Sequence, residues 1–159
     1  MNKPIIEKVV LSVGLGKLSG QPNFEDKILG GVMAEIAKIS GQKPKTTTAK
    51  KSIAGFKTRV GQIIGIMATL RGRRAHDFIS RLVISTLPRV KDFRGIDTKN
   101  VDAMGNLNIG VKEHLAFPEI NAEESAHNFG LQVTVVLSGV KSRDQALDFY
   151  RDIGVPLKK

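Results

Sequence analysis

A chain of 159 residues, 41% of them hydrophobic, is sized for one domain that buries roughly 70% of its unfolded surface. It has no cysteine, which excludes disulfides and thiolate metal sites and makes a reducing cytosol the expected compartment. The net charge of +10 is concentrated: residues 43–94 hold thirteen Lys or Arg against Asp77 and Asp92, while 1–42 carry +1 and 95–159 carry −2. A basic block between near-neutral ends is built to face a polyanion, nucleic acid above all.

Residues 5–15 alternate, with Ile5, Val9, Leu11, Val13 and Leu15 on one parity and Lys8, Ser12, Gly14 and Gly16 on the other, which predicts a strand with one apolar face. Phe24, Ile28, Leu29, Val32, Met33 and Ile36 then follow a helical period over 23–40, with Asn23 as candidate cap and Gly41 as candidate stop. Gly30 and Gly31 inside it cost about 1 kcal/mol each relative to alanine, so they mark either close packing or a break. Thr46–Thr48 reads as a short strand, and 49–62 as a long polar loop. Residues 63–71 set Ile64, Ile66, Ala68 and Leu70 against Gly65, Met67, Thr69 and Arg71. A helix over 73–88 points Ala75, Phe78, Ile79, Leu82 and Val83 inward and ends or kinks at Pro88. Residues 89–105 are irregular. Residues 106–111 and 131–138 alternate as strands, and 112–130 fit no element. Ser142-Arg143-Asp144-Gln145 opens the last helix as a capping box, and Gly154 closes it.

Every strand has one apolar and one mostly polar parity. The expected fold class is therefore α+β: an antiparallel sheet with helices packed on one face and an open polar face, over a single domain spanning 1–159. That open face carries Ser12, Thr69 and Arg71 among small glycines, and it suits either a ribose-phosphate surface or ordinary solvent.

Enzyme signatures are missing. Gly14, Gly16 and Gly20 follow a strand, but the spacing misses G-x-G-x-x-G by one residue and no βαβ series follows, so turn glycines are the simpler reading. His76, His114 and His127 are scattered without ligand spacing and read as surface or satisfied core histidines; no metal or cofactor is expected. Glu123-Glu124 reads as a solvated pair, and no G-x-S-x-G elbow occurs. No apolar run approaches the ~20 residues of a membrane span, and Glu7 and Lys8 follow too soon after Met1 for a signal peptide. No Lys-rich amphipathic helix stands out for a lipid surface.

The loop from Ala49 to Gly61 stands apart. It holds Lys50, Lys51, Lys57 and Arg59, two glycines and Phe56, and long loops in compact domains are often functional. One aromatic is too few to assert base stacking, so Phe56 is read as packing and the cations as phosphate or ribose contacts. Arg71, Arg73 and Arg74 crowd a strand–helix junction. An Arg73–Asp77 pair relieves some of that repulsion, and a phosphate backbone would relieve more.

The run Gly41-Gln42-Lys43-Pro44, the run Ala49-Lys50-Lys51-Ser52-Ile53-Ala54-Gly55-Phe56-Lys57, and Thr69-Leu70-Arg71-Gly72 closely resemble the ribosomal large-subunit protein 5 family. Leu87-Pro88-Arg89-Val90-Lys91-Asp92-Phe93-Arg94-Gly95, Phe117-Pro118-Glu119-Ile120 and the terminal Gly154 to Lys159 do so as well. The order and spacing fit the bacterial or organellar branch from about Val9 onward. The resemblance implies a non-enzymatic α+β protein of the central protuberance, located on the ribosome, cytoplasmic or organellar. Its implied partners are 5S rRNA, large-subunit rRNA, P-site tRNA and a small-subunit head protein, with no membrane. The family's RNA-recognition positions fall on Ser12, Gln42, Thr69 and Arg71, with Lys43 and Arg73 beside them. Lys50, Lys51, Ser52, Lys57 and Arg59 would form the tRNA-facing loop, and the bridge to the small subunit would lie in the second half of the chain.

Several departures stand out. The family has asparagine where this chain has the shorter Ser12. Members usually carry a longer segment before the first strand, and this chain is longer at Leu18 to Asn23. Residues 101–104 replace a more polar stretch. Two other classes of function remain. A general nucleic-acid or RNA-chaperone module would bind many RNAs alike, and a nucleotide-dependent enzyme using Gly14–Gly20 would bind a dinucleotide saturably.

Overall fold

The computed structural model describes residues 3–52, 55 and 59–158. Its framework is a five-stranded sheet in the order β2-β3-β1-β5-β4, with every neighbouring pair antiparallel. The strands are β1 (Ile5–Gly14), β2 (Lys45–Thr48), β3 (Ile63–Arg71), β4 (Leu107–Val111) and β5 (Leu131–Ser138). Helices α1 (Gly30–Ser40), α2 (Arg73–Arg81) and α3 (Arg143–Asp152) complete the α+β fold. Among the described residues no helix is long and apolar enough to cross a membrane.

The alternation read from the sequence sorts the two faces. Val9, Leu11, Val13 and Leu15 of β1 and its extension are buried, with Ile66, Ala68 and Leu70 of β3, Leu107, Ile109 and Val111 of β4, and Leu131, Val133, Val135 and Leu137 of β5. They join one core with Ile36 and Ile39 of α1, Phe78 and Ile79 of α2, and Leu147 and Tyr150 of α3. Full burial of such side chains contributes about 1.5–3 kcal/mol each.

One residue expected to face inward does not. Ile5 is exposed and Ile6 buried, because the register between β1 and β5 shifts between Ile6 and Lys8. Glu7 is the extra residue of a bulge, and a bulge reverses the facing of every side chain before it.

Helical boundaries also differ in detail. The predicted helix over 23–40 is continuous, but its first turns, Phe24–Leu29, are π-wide and give way to α1 at Gly30. Asn23 occupies the cap position at φ 59° without a side-chain cap bond. Gly41 stops α1 at φ 79°, a left-handed conformation that glycine adopts without strain. After Arg81 the second helix widens over Leu82–Thr86 and tightens over Leu87–Arg89, where Pro88 ends it. At α3 the Ser142 hydroxyl accepts from the Gln145 N–H at 3.2 Å, whereas the Gln145 carboxamide accepts from Lys141 rather than Ser142, so the box closes one residue early. The unassigned stretch 112–130 holds one short 3₁₀ turn, His114–Ala116.

Two contacts lock this architecture. Gly65 lies between β2 and β1; a Cβ there would come within 2.8 Å of both Thr47 Oγ1 and the Val13 carbonyl oxygen. Tyr150, fully buried, donates its hydroxyl to the Gly105 carbonyl at 2.6 Å and ties α3 to the turn before β4. Burial, and secondarily the charge of Asp102, pushes the Tyr150 phenol well above its ordinary range.

Gly65→Ala is expected to destabilise the protein by about 1–3 kcal/mol, because a backbone carbonyl cannot yield as a flexible side chain does; a denaturant midpoint unchanged from wild type would refute the close approach. Tyr150 governs alkaline stability. The folded protein keeps the phenol proton where the unfolded chain, titrating near about pH 10, releases it, so the unfolded state binds fewer protons and stability falls as pH rises. Melts between about pH 9 and about pH 11 should show a steeper loss for wild type than for Tyr150→Phe.

Candidate nucleic-acid interface

The register of β1 with its two neighbours composes the open face row by row. Ser12 is paired with Met67 on β3 and with Gln132 on β5; Met67 continues to Lys45 on β2 and Gln132 to Gly110 on β4. The next row runs Thr69, Val10, Thr134, Asn108. Beyond it Lys8 pairs with Arg71, and at the other end Gly14 pairs with Gly65. Ser12 and Arg71 are exposed and Thr69 is half-buried, so all three share this face, as their parity predicts. Asn108 accepts from Thr134 at 2.9 Å and Gln132 at 3.1 Å, forming a polar ladder on the β4–β5 side.

Gln42 joins the face from the turn after α1. Its Nε2 donates to the Thr69 carbonyl at 2.8 Å, and its Oε1 accepts from Arg74 Nη1 at 3.3 Å. Gln42 thus braces the end of β3 and holds Arg74 at the corner where Arg71 emerges. Gly72, at φ 61° and ψ −135°, turns the chain from β3 into α2. Arg73 and Arg74 therefore stand at a helix N-terminus with no acid in the first turn, where the macrodipole disfavours cations. The expected Arg73–Asp77 pair forms at 3.7 Å, almost fully exposed, which makes it a weak tether. Lys43 is exposed beside Gln42.

The long loop is the tip of the β2–β3 hairpin. Ala49 extends the ladder by donating to Gln62 and accepting from Gly61, at 2.8 and 3.0 Å. The Ser52 hydroxyl oxygen accepts from the Val60 N–H at 3.1 Å and pinches the loop. Gln62 accepts from the Arg59 N–H and donates to Ser19, fastening the base. Lys50, Lys51 and Arg59 are exposed; Phe56 and Lys57 lie outside the described residues.

One buried cluster has the composition of a catalytic triad. His114, 0% exposed, meets Glu35 Oε2 at 2.7 Å and Ser125 Oγ at 3.0 Å, but both contacts are to Nε2. Its Nδ1 accepts from the Phe129 N–H, and the ring stacks on Phe129 at 3.8 Å. A triad needs base and orienter on opposite nitrogens. This histidine instead fastens residues 112–130 to α1, the satisfied core role anticipated. His76 is exposed and His127 half-buried. Among the described residues no group of His, Asp and Glu is arranged to hold a metal.

Lys8, Lys45, Arg74 and the Asn108–Gln132–Thr134 ladder were not in the expected site set. Strand parity carried the signal for Lys8 and the ladder, and charge crowding at the strand–helix junction carried it for Arg74, whereas Lys45 lay just outside the predicted strand Thr46–Thr48.

Comparison with known proteins agrees with this reading of an antiparallel, non-catalytic scaffold. Residues 1–59 match the family "Ribosomal protein L5", and residues 63–157 match the C-terminal region of the same ribosomal family. The chain is similar to large ribosomal subunit protein uL5 of Halothermothrix orenii, 43% identical over 159 residues that cover 100% of this chain and 86% of the relative. The uL5 proteins of Desulfotalea psychrophila and Desulfatibacillum aliphaticivorans are 44% and 45% identical over the same shares. The chain belongs to the ribosomal protein L5 family, bacterial type. It is a non-enzymatic structural constituent of the large ribosomal subunit, in the bacterial cytoplasm.

Proposed function

We propose that within the large subunit this chain binds 5S rRNA through its open sheet face and offers the basic hairpin tip to P-site tRNA. The observation that carries the reading is the shared face: Ser12, Thr69 and Arg71 lie on one side of the sheet, and Gln42 is bonded to the Thr69 carbonyl at its edge. Folded RNA is recognised chiefly by shape and by contacts to ribose hydroxyls and phosphates. A rigid, polar, glycine-dotted sheet supplies donors and acceptors at fixed spacing, and Arg71 with Lys43 and Arg73 supplies charge. The chain acts as one folded unit, since β1 from the first matched span lies between β3 and β5 from the second.

The tip has a different task. Lys50, Lys51 and Arg59 are exposed on a loop fastened at its base, and Lys57 belongs to the same loop by sequence. Such a loop suits a phosphate backbone approached from outside the 5S contact. Ser52 serves it chiefly as the pinch on Val60. We further propose that the second half of the chain helps bridge to the small-subunit head, and that large-subunit rRNA shares the basic block. A general RNA chaperone would need only that block, without a register-built face.

The deciding experiment titrates the purified protein with cognate 5S rRNA at physiological salt against unrelated structured RNA of equal length. Binding that survives the competitor supports the face; equal loss to either RNA leaves only electrostatics. Arg71→Ala should weaken 5S rRNA binding about 10- to 150-fold, a charge-assisted contact of roughly 1.5–3 kcal/mol being lost, whereas Lys50→Ala with Lys51→Ala should change it little. Equal losses would argue against two surfaces. Ser12→Asn, which restores the longer side chain beside Gln132, should tighten binding about fivefold, the worth of about one hydrogen bond.

A further inference from the structure

The motif Leu87-Pro88-Arg89-Val90-Lys91-Asp92 took no part in the site described so far. In the structure its last four residues, Arg89 to Asp92, form one wall of a cavity of about 430 Å³, whose other wall is Val111 at the end of β4 with Lys112, Glu113, Leu115 and Ala116. Arg89 and Lys91 from the first wall and Lys112 from the second are exposed cations around this opening. Asp92 and Glu113 line it too, leaving a net charge of +1. None of these five residues takes part in the ion pairs found among the described residues, which join Arg73 to Asp77, Arg81 to Glu119, His114 to Glu35 and Arg151 to Asp148. The cations thus share the cavity with carboxylates but form no direct ion pair with them among the described residues. Asp92 adopts φ 56°, a left-handed conformation uncommon outside glycine and of order 1 kcal/mol in cost; Arg89 and Lys91 lie on the approach to that turn.

Val111 and Lys112 also line a second, shallower opening that lies on the sheet, floored by Gly14, Gly110 and Gly130 and flanked by Ser12 and Gln132. One pair of residues is therefore shared between the open polar face and the cationic cavity. Lys112 comes from residues 95–159, whose net charge is −2, and the fold places it beside two cations of the basic block.

We infer that Arg89, Lys91 and Lys112 form a second phosphate-binding cluster, which carries the bound RNA off the sheet face and around the end of β4. This rests on the reading that the open face binds RNA. Continuity through Val111 and Lys112 favours a nucleic-acid backbone over an acidic peptide: a strand leaving the face passes directly to the cations, with Lys112 common to both openings. Guanidinium and ammonium groups with no carboxylate partner release counterions when phosphates arrive, so the cluster adds to the salt dependence of binding.

The test is the slope of log affinity for 5S rRNA against log salt, measured for the full chain. Each phosphate contact contributes about 0.9 to that slope. The variant Arg89→Ala/Lys91→Ala/Lys112→Ala should flatten it by about 2–3, so that the affinity gap to wild type narrows about 40-fold between about 50 mM and about 200 mM salt. A control losing the same charge elsewhere, Lys99→Ala/Lys141→Ala/Arg151→Ala, should keep the wild-type slope. The charge-preserving variant Arg89→Lys/Lys91→Arg/Lys112→Arg should keep it as well. Circular dichroism identifies a triple variant that fails to fold, in which case Lys91→Ala/Lys112→Ala, with an expected flattening of about 2, decides in its place. Equal slopes for wild type and cluster variant, or equal flattening in the control, overturn the inference while leaving the 5S function intact. If wild type binds both RNAs alike, the proposed function fails, and the slope on the competitor RNA still decides the cluster. An acidic peptide that binds the cavity and leaves the RNA slope untouched would assign the cluster to a protein partner and overturn the inference.

Discussion

The pairing of β1 between β3 and β5 is the constraint on which the rest of the molecule depends. Strand side chains alternate with a period of two, so a slip of one residue exchanges core for surface along the whole element. Here a single register sends Val9, Leu11 and Val13 into the core and turns Lys8, Val10 and Ser12 to the open face. The same pairing sets Lys8 against Arg71 and Ser12 against both Met67 and Gln132. Core and interface are two readings of one hydrogen-bond ladder, and neither can shift without the other. The bulge at Glu7 lies at the outer end of β1, where its reversal of facing exchanges only Ile5 and Ile6.

Charge acts against stability at several points of this face. Arg73 and Arg74 occupy a helix N-terminus, and Lys8 stands opposite Arg71 across a strand pair. Like charges directly opposed in a sheet are destabilising by up to about 1 kcal/mol, and cations at a helix N-terminus by a comparable amount. A core that joins all three helices to the sheet tolerates such losses. Their clustering on one side makes sense for a surface whose counter-charge arrives with a partner. Gln42 illustrates the complementary device: a neutral side chain, bonded to backbone on one side and to Arg74 on the other, fixes where that charge points.

How much of this was legible depended on whether the signal was periodic. Alternation placed the strands and sorted most inward residues, and it put Ser12, Thr69 and Arg71 on one face. It failed at Ile5 because a bulge leaves no mark in a hydrophobic pattern. The wide turns at Phe24–Leu29 and Leu82–Thr86 keep the helical stripe close enough to conceal the change in hydrogen bonding. The His114 contacts with Glu35 and Ser125 join residues far apart in sequence, and nothing local announces them. The candidate site residues were drawn from family resemblance, whereas the hydrogen bonds that brace them emerge only from the coordinates. Ser52 reads as one more polar loop residue until its bond to Val60 shows it pinching the loop.

The topology also explains why two cationic regions can serve one polyanion. The hairpin tip leaves β2 at Thr48, and Thr47 is paired with Gly65, which in turn faces Gly14. Val111, paired with Leu131, closes the far side of the sheet at the same end of the strands. Four strand spacings of about 4.8 Å separate β2 from β4, so the strand that carries the tip and the strand that leads to the Arg89–Lys91–Lys112 cavity stand about 19 Å apart across a polar, glycine-dotted edge. That span is short enough for one folded RNA element and for an adjoining strand of backbone. Charge that looks in the sequence like a single basic block is thus divided by the fold between the two edges of the sheet. The open face lies between them, where the hydrogen-bonding groups of Ser12, Thr69 and Gln132 can set the register of the bound RNA beside the charges of Lys8 and Arg71.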